Sequence, residues 1–359
     1  MGNIGKISIL HVIFLCMTVI GLKNHVTILP PILETAKRDG WMSVLIASIL
    51  IFLWLLWIIY IQNKSKQKPI KDWLPEKLGN VGAKIVLYTT VLFLYIQAAF
   101  TLRETILWVS ATFLIETPDV ILTIIYIILC FSLVSTNMLT IVIVNTLVLA
   151  FVIIFGFYVA IVNIQVKDYD LLFPLLEHGM DPVLKAVVYP ASGFIEFYLL
   201  LFLQHHLKER LKWQHIAWIM FILTGLTLGP LVGAIIEFGP TEAANQRYPA
   251  YEEWALATIG RFIEHMDFLS VYQWLTGAFI RIGVILYVAC DILNLTEKRK
   301  HIWKYMMPPF LFLNLILLIF NDNIFLFVNY HQFLIMTFLF IFILSIILII
   351  ARKIPNREN

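Results

Sequence analysis

Met138 to Val162 contains no charged side chain, and it is one of several such runs in this sequence. As a helix it would reach ~37 Å, at about 1.5 Å per residue, against a hydrocarbon core of roughly 30 Å. Sixty per cent of the 359 residues are hydrophobic, only 14% are charged, and the mean hydropathy is +0.87. No soluble fold of this length needs so many long apolar runs. The sequence therefore specifies an all-α integral membrane protein that crosses the bilayer many times.

Two of the runs are interrupted. Asp181 to Leu207 is long enough to cross, yet it contains Tyr189-Pro190-Ala191-Ser192-Gly193. Pro190 has no N–H to donate and its ring clashes with the preceding turn, while Ser192 and Gly193 offer a small, permissive backbone. The first run, Ile7 to about Leu33, carries Gly21-Leu22-Lys23-Asn24-His25 in its middle. Either half alone is too short, since Ile7 to Gly21 would reach only ~22 Å. Each interruption reads as a kinked helix or as a broken one beside a watery cavity, because lipid cannot satisfy freed backbone groups.

The other spans are Gly40 to Ile61, Val81 to about Trp108, Pro118 to Val134, Met138 to Val162, Trp213 to Ile236, about Phe268 to Leu293, Met306 to Phe320 and Phe325 to Ile350. Pro308-Pro309 marks the short ninth. Phe238 to Asp267 places Trp254, Ile259, Phe262, Ile263 and Met266 at roughly helical spacing among acidic residues, which predicts an amphipathic helix on the bundle. Lys6 followed by an apolar run is signal-like, but no small-x-small site follows, so a retained helix is expected. Lys64, Lys66, Lys68, Lys71 and Lys77 lie in one set of connections with Lys208, Arg210, Lys212, Lys298, Arg299, Lys300, Lys304, Arg352, Lys353 and Arg357. The other set is richer in acids, including Glu104, Glu116, Asp119, Glu252 and Glu253. That asymmetry predicts both termini in the cytoplasm and about ten spans. Residues 1–359 then form one domain, a first repeat of about 7–162 and a second of about 181–350. The interrupted helices, the first and sixth, open two inverted sets of five, a pattern that points to a transporter-type central site.

Charges inside spans need partners or a cavity. Lys23 lies in the first interruption, Glu196 just after the second, and Arg281 within the eighth span. Lys23 either snorkels to an interface or serves the site; Glu196 and Arg281 form either a structural ion pair or a ligand site. Gln97 and Thr276 are milder and suit hydrogen bonds to a neighbouring helix. A half-helix beginning at Phe194 would present free N–H groups to an anion, with Gly193 leaving room for a ligand. Cys16, Cys130 and Cys290 are far apart and inside apolar runs, so neither a disulfide framework nor a cysteine metal site is expected. His205 and His206 are adjacent, which predicts different helix faces and no metal pattern. No phosphate-binding loop or nucleophile elbow occurs. An enzyme, a cofactor and a nucleic-acid partner are therefore not expected.

Several stretches resemble the B subunit of GerA-type spore germinant receptors, a spore germination permease branch of the amino acid–polyamine–organocation superfamily. They are Leu29-Pro30 with Asp39-Gly40-Trp41, Phe100 with Arg103, and Pro174-Leu175-Leu176-Glu177-His178-Gly179. Tyr189-Pro190-Ala191-Ser192-Gly193-Phe194 follows, then Arg261-Phe262-Ile263-Glu264 leading through Trp274, Gly277, Ala278 and Phe279. The resemblance implies a LeuT-like five-plus-five inverted repeat with broken helices 1 and 6, in the inner membrane of a spore. It implies receptor A and C subunits as partners and a small germinant, an amino acid, sugar or nucleoside, as ligand. By position the pocket would involve Gly21, Lys23, Asn24, His25, Phe93, Gln97, Ser192, Gly193, Phe194, Glu196, Thr276 and Arg281. Lys23 and His25 depart from the small, Gly-rich first break of such proteins, and no lysine in the fifth span offers proton coupling. A secondary amino acid permease of the same superfamily is the alternative function.

The topology is open to direct test. A cysteine introduced at Lys66 should label only from the cytoplasmic side of oriented vesicles; labelling from outside alone would reverse the orientation.

Overall fold

A computed structural model describes residues 6–258 and 266–354 of the chain. The expected contributions of Ile259, Arg261, Phe262, Ile263, Glu264 and Arg357 lie outside the described residues. Eight helical stretches are long and apolar enough to cross a membrane: Ile9–Thr27, Leu29–Ser65, Ile70–Thr112, Met138–Val166, Met180–Phe202, Trp213–Phe238, Phe268–Ile292 and Asp322–Lys353. The fourth and ninth expected spans are shorter, Asp119–Val134 and Met307–Leu317. The chain is a multi-pass membrane protein, and large apolar side chains such as Leu53, Phe157, Phe221 and Ile343 stand on the outside of the bundle. Among the described residues no strand forms beyond an isolated bridge between Ile7 and Leu207.

Proline placement explains where the helices depart from α geometry. Helix α1 (Ile9–Leu22) runs into a π-helical turn, Lys23–Thr27, and then α2 (Leu29–Ala36). Pro30 and Pro31 cannot donate to the carbonyls of Val26 and Thr27, so regular i→i−4 bonding cannot continue through them. After α3 (Gly40–Ser65), α4 (Ile70–Thr112) bends at Gly79, whose φ of 71° suits a residue without Cβ. Helices α5 (Asp119–Val134) and α6 (Met138–Val162) are joined by a three-residue link, and both pack on the eighth span.

The sixth span is helical from end to end, in four pieces. Helix α7 (Met180–Ala186) passes at Val187 into α8 (Val188–Phe194), then a 3₁₀ turn, Ile195–Tyr198, and α9 (Leu199–Phe202). Pro190 removes the donor for Ala186's carbonyl, but Val187 keeps right-handed helical angles. Of the two forms open to this interruption, a broken backbone at Pro190–Ser192 is not the one formed. Nor is a free half-helix start formed at Phe194, because the N–H of Ile195 already bonds to Ala191.

Helix α10 (Trp213–Phe238) leads to α11 (Pro240–Asn245) and α12 (Pro249–Ala255). Pro240 and Pro249 each begin one of these short helices, and most of the residues expected to carry an amphipathic helix there, Ile259, Phe262 and Ile263, lie outside the described residues. Next is α13 (Phe268–Ile292), buried through most of its length against α1, α4, α5 and α6. Helix α14 (Arg299–His301) precedes a second π turn, Ile302–Met306, and α15 (Met307–Leu317); the pair Pro308-Pro309 stands where Pro30-Pro31 does in the first span. A third π turn, Val328–Phe333, joins α16 (Asp322–Phe327) to α17 (Leu334–Lys353).

Glu253 of α12 packs its carboxyl against Gly233 of α10. Burial, with the Glu237 carboxylate beside it, pushes Glu253 well above the usual carboxylate range. A folded-state pKa raised in this way stabilises the fold below the unfolded pKa, and that stabilisation is lost as pH rises through the folded value. The thermal midpoint of the purified protein should therefore fall between about pH 5 and pH 9, and Glu253→Gln should flatten the profile. A wild-type midpoint that is constant over this range would contradict the assignment.

Candidate functional site

Four helices meet on one carboxylate. Glu196, in the 3₁₀ turn of the sixth span, is fully buried and accepts from Lys23 Nζ at 2.8 Å. It accepts from Arg281 of α13 through both carboxylate oxygens, Nη1 to Oε2 at 2.6 Å and Nη2 to Oε1 at 3.0 Å. Gln97 Nε2 of α4 adds a further donor to Oε1. The two-point Arg281 contact fixes the plane of the carboxylate as well as its position. Lys23 and Arg281 are only 4% and 3% exposed, so Lys23 does not snorkel.

The helix irregularities place these groups. At the entry to the π turn, the N–H of Lys23 bonds to Ile20 instead of Val19. Val19's carbonyl is then free to accept from Arg281 Nη1. Lys23 Nζ also donates to the carbonyl of Ser192 at 3.0 Å, and Arg281 Nε donates to Thr101 Oγ1 at 3.2 Å. Backbone and side chain in the first, third, sixth and eighth spans are thus tied to the same charges.

A small cavity lies beside this layer, lined by Lys23, Thr27, Gln97, Phe100, Thr101, Glu104, Arg281, Asn329, Phe333 and Leu334. It has about 10 Å³ of free space, room for one water molecule. A second cavity of the same size lies on the other side of Glu196 and is lined by Leu15, Cys16, Val19, Ile20, Leu199, Leu200, Leu203 and Val284. Glu104 accepts from Thr27 Oγ1 at 2.8 Å and is 4% exposed. The sequence counted Glu104 with the acidic connections, although the expected third span already ran past it; its packing against Thr27 buries it.

Of the residues expected at the site, Lys23, Gln97, Ser192, Glu196 and Arg281 come together. Phe93 stands one turn from Gln97 and stacks on Phe340, with Phe333 beyond. Gly21, Asn24 and His25 turn instead toward α10: Gly21 faces Leu226, Asn24 donates to Thr227 at 3.2 Å, and His25 meets the Leu226 carbonyl at 3.1 Å. Gly193 does not leave room for a ligand, because a Cβ there would collide with the Asn24 amide. Phe194 is packed in the core, and Thr276 donates to Tyr272 of its own helix. Thr27, Thr101, Glu104, Asn329 and Phe333 are additions that only packing reveals. His205 and His206 do not diverge: in the 3₁₀ turn Gln204–His206 their ring centroids are 4.1 Å apart.

Both ends of the bundle are closed around this layer. At one end, Ile7 N–H donates to His206 O and Lys208 N–H to Ile7 O, while Lys71 pairs with Asp291 at 3.0 Å. At the other, Arg103 bridges Asp119 and Asp322, and His331 contacts both Glu34 and Tyr189.

Comparison with known proteins adds a family. The model of a family described as "Spore germination protein" matches residues 6–325. Spore germination protein XB of Bacillus anthracis is 42% identical over 279 residues, covering 78% of each chain. Putative spore germination protein YfkT of Bacillus subtilis (strain 168) is 25% identical over 287 residues, covering 78% of this chain and 76% of the relative.

Removing the shared anion should be worse than removing one of its cations with it. Glu196→Gln alone leaves Lys23 and Arg281 buried without their anion, at a cost on the order of 3–5 kcal/mol, whereas Arg281→Met alone leaves the Lys23–Glu196 pair in place. Adding Lys23→Met to Glu196→Gln removes one stranded charge and should recover part of the lost thermal stability of the purified protein. Strict additivity of the two changes would show that the groups are not coupled.

Proposed function

The chain belongs to the spore germination protein family, and on that premise we propose that it is the germinant-sensing membrane subunit of a spore germination receptor. In this reading it spans the spore inner membrane about ten times, as a LeuT-like five-plus-five repeat with both termini in the cytoplasm. It works with receptor A and C subunits. The repeats are about 7–162 and 181–350.

The observation that carries the reading is the polar cavity beside the buried charges. Two cations, Lys23 and Arg281, share Glu196, so that side of the layer favours an added anion. Glu104 lies across the same cavity and favours a cation, and Phe100 and Phe333 supply apolar walls. Among amino acids, sugars and nucleosides, a zwitterionic amino acid meets all three features. Its carboxylate would compete with Glu196 for Lys23, and its ammonium would face Glu104 and Asn329. Room for one water is too little for such a ligand, so binding requires Lys23 or Phe333 to move. A ligand that binds only when the Lys23–Glu196 contact is loosened would shift the balance between two arrangements of the first and sixth spans. That shift is the signal passed to the partner subunits.

Spores carrying Glu104→Gln provide the test. The substitution keeps size and an acceptor for Thr27 but removes the charge. Loss of one charge-assisted contact, about 1.5 kcal/mol, should raise the amino acid concentration needed for germination on the order of tenfold. Germination is read as loss of optical density, with an immunoblot confirming normal abundance. An unchanged dose response would remove this cavity from sensing. Accumulation of labelled amino acid in vesicles by the wild-type chain without its partners would instead favour the permease reading.

A further inference from the structure

The described residues include one cluster that the charge layer does not use. His205 and His206 close the sixth span, and Asp291 lies near the end of α13. One ligand atom from each lies within 4.8 Å of the others. His205 Nε2 stands 3.4 Å from Asp291 Oδ2. That separation is long for a charge-assisted hydrogen bond, which favours about 2.7–2.9 Å. It matches the edge of a tetrahedron around an ion with ligand bonds of about 2.0–2.1 Å, which is ~3.4 Å. His205 Nδ1 and His206 Nε2 are buried without a hydrogen-bond partner among the described residues. Both rings therefore have donor or acceptor capacity that the protein does not satisfy.

We propose that His205, His206 and Asp291 form a binding site for a divalent transition ion of the zinc class. Two imidazoles and one carboxylate are a ligand set that suits such an ion, with the fourth position left to water. Both histidines are partly exposed, so the ion has a route in. Lys71 sets the strength of the site. Its ammonium lies 3.0 Å from Asp291 Oδ1 and 2.6 Å from the Asp291 carbonyl. Oδ2 is left for the ion, but the ammonium repels any cation that approaches, so the native site is of modest affinity.

The position gives the site a consequence. The main-chain carbonyl of His206 accepts from Ile7 N–H at 2.8 Å, which ties the start of the chain to the end of the sixth span. An ion joining His206 to Asp291 would fasten that same end to α13. Metal binding then opposes opening of this end of the bundle. It does so whatever the ligand of the central cavity, so this proposal does not rest on the germinant reading.

The test uses the full-length, untagged protein in lipid nanodiscs, titrated with Zn²⁺, and with Co²⁺ as a spectroscopic substitute. Wild type should bind about one zinc per chain, and Co²⁺ should give the visible absorption of a four-coordinate nitrogen–oxygen site. His205→Gln and His206→Gln should each weaken binding at least tenfold. Lys71→Met should strengthen it severalfold, a gain that misfolding cannot mimic. Zinc affinity that is indifferent to either histidine change, or unaltered by Lys71→Met, would overturn the assignment.

Discussion

The Glu196 carboxylate is the contact on which the rest of the structure depends. A lone carboxylate in a low-dielectric interior is prohibitively costly, so its position is tolerable only where cations reach it. Lys23, Arg281 and Gln97 reach it from three other spans. Lys23 and Arg281 carry further donors, and they place them on Ser192, Val19 and Thr101. The result is a crosslink between the first, third, sixth and eighth spans that apolar packing in lipid could not specify. Lipid tails are as apolar as leucine, so within a membrane polar contacts carry much of the choice of partner.

The same contact depends on imperfect helices. A regular α-helix would bond the Val19 carbonyl to the N–H of Lys23, and Arg281 would have to share it. The π turn at Lys23–Thr27 frees that acceptor and aims Lys23 at Glu196, and the 3₁₀ turn at Ile195–Tyr198 carries the carboxylate. Changes of pitch keep the backbone bonded while redirecting side chains, which lipid requires. A fully unwound segment would have exposed more backbone polarity than this closed core could satisfy.

Closure at both ends gives the charge layer its meaning. The Ile7–Leu207 bridge and the Lys71–Asp291 pair seal one end, and the bonds of Arg103 and His331 seal the other. Between them lie a polar cavity and an apolar one, separated by Glu196 and its partners. The ion cluster is therefore a partition as well as a crosslink.

The sequence by itself determined the fold class, most of the spanning helices and the positions of the two interruptions. Apolar length, charge and proline act through local chemistry, and local chemistry is legible in one dimension. Lys23, Glu196 and Arg281 were legible for the same reason, since a charge within an apolar run needs an explanation wherever it stands. Which charges pair was not legible, because pairing joins residues separated by up to 173 positions. Nor was the form of the interruptions: proline removes a donor, but neighbouring helices decide whether the backbone unwinds or changes pitch. Glu104 counted among the acidic connections until packing against Thr27 buried it. Gly193 looked like space until Asn24 filled it. His205 and His206 came to one place with Asp291 because a 3₁₀ turn and the end of α13 met there. Those outcomes were decided by tertiary packing, since they turn on which surfaces face one another, and helix period alone does not encode that.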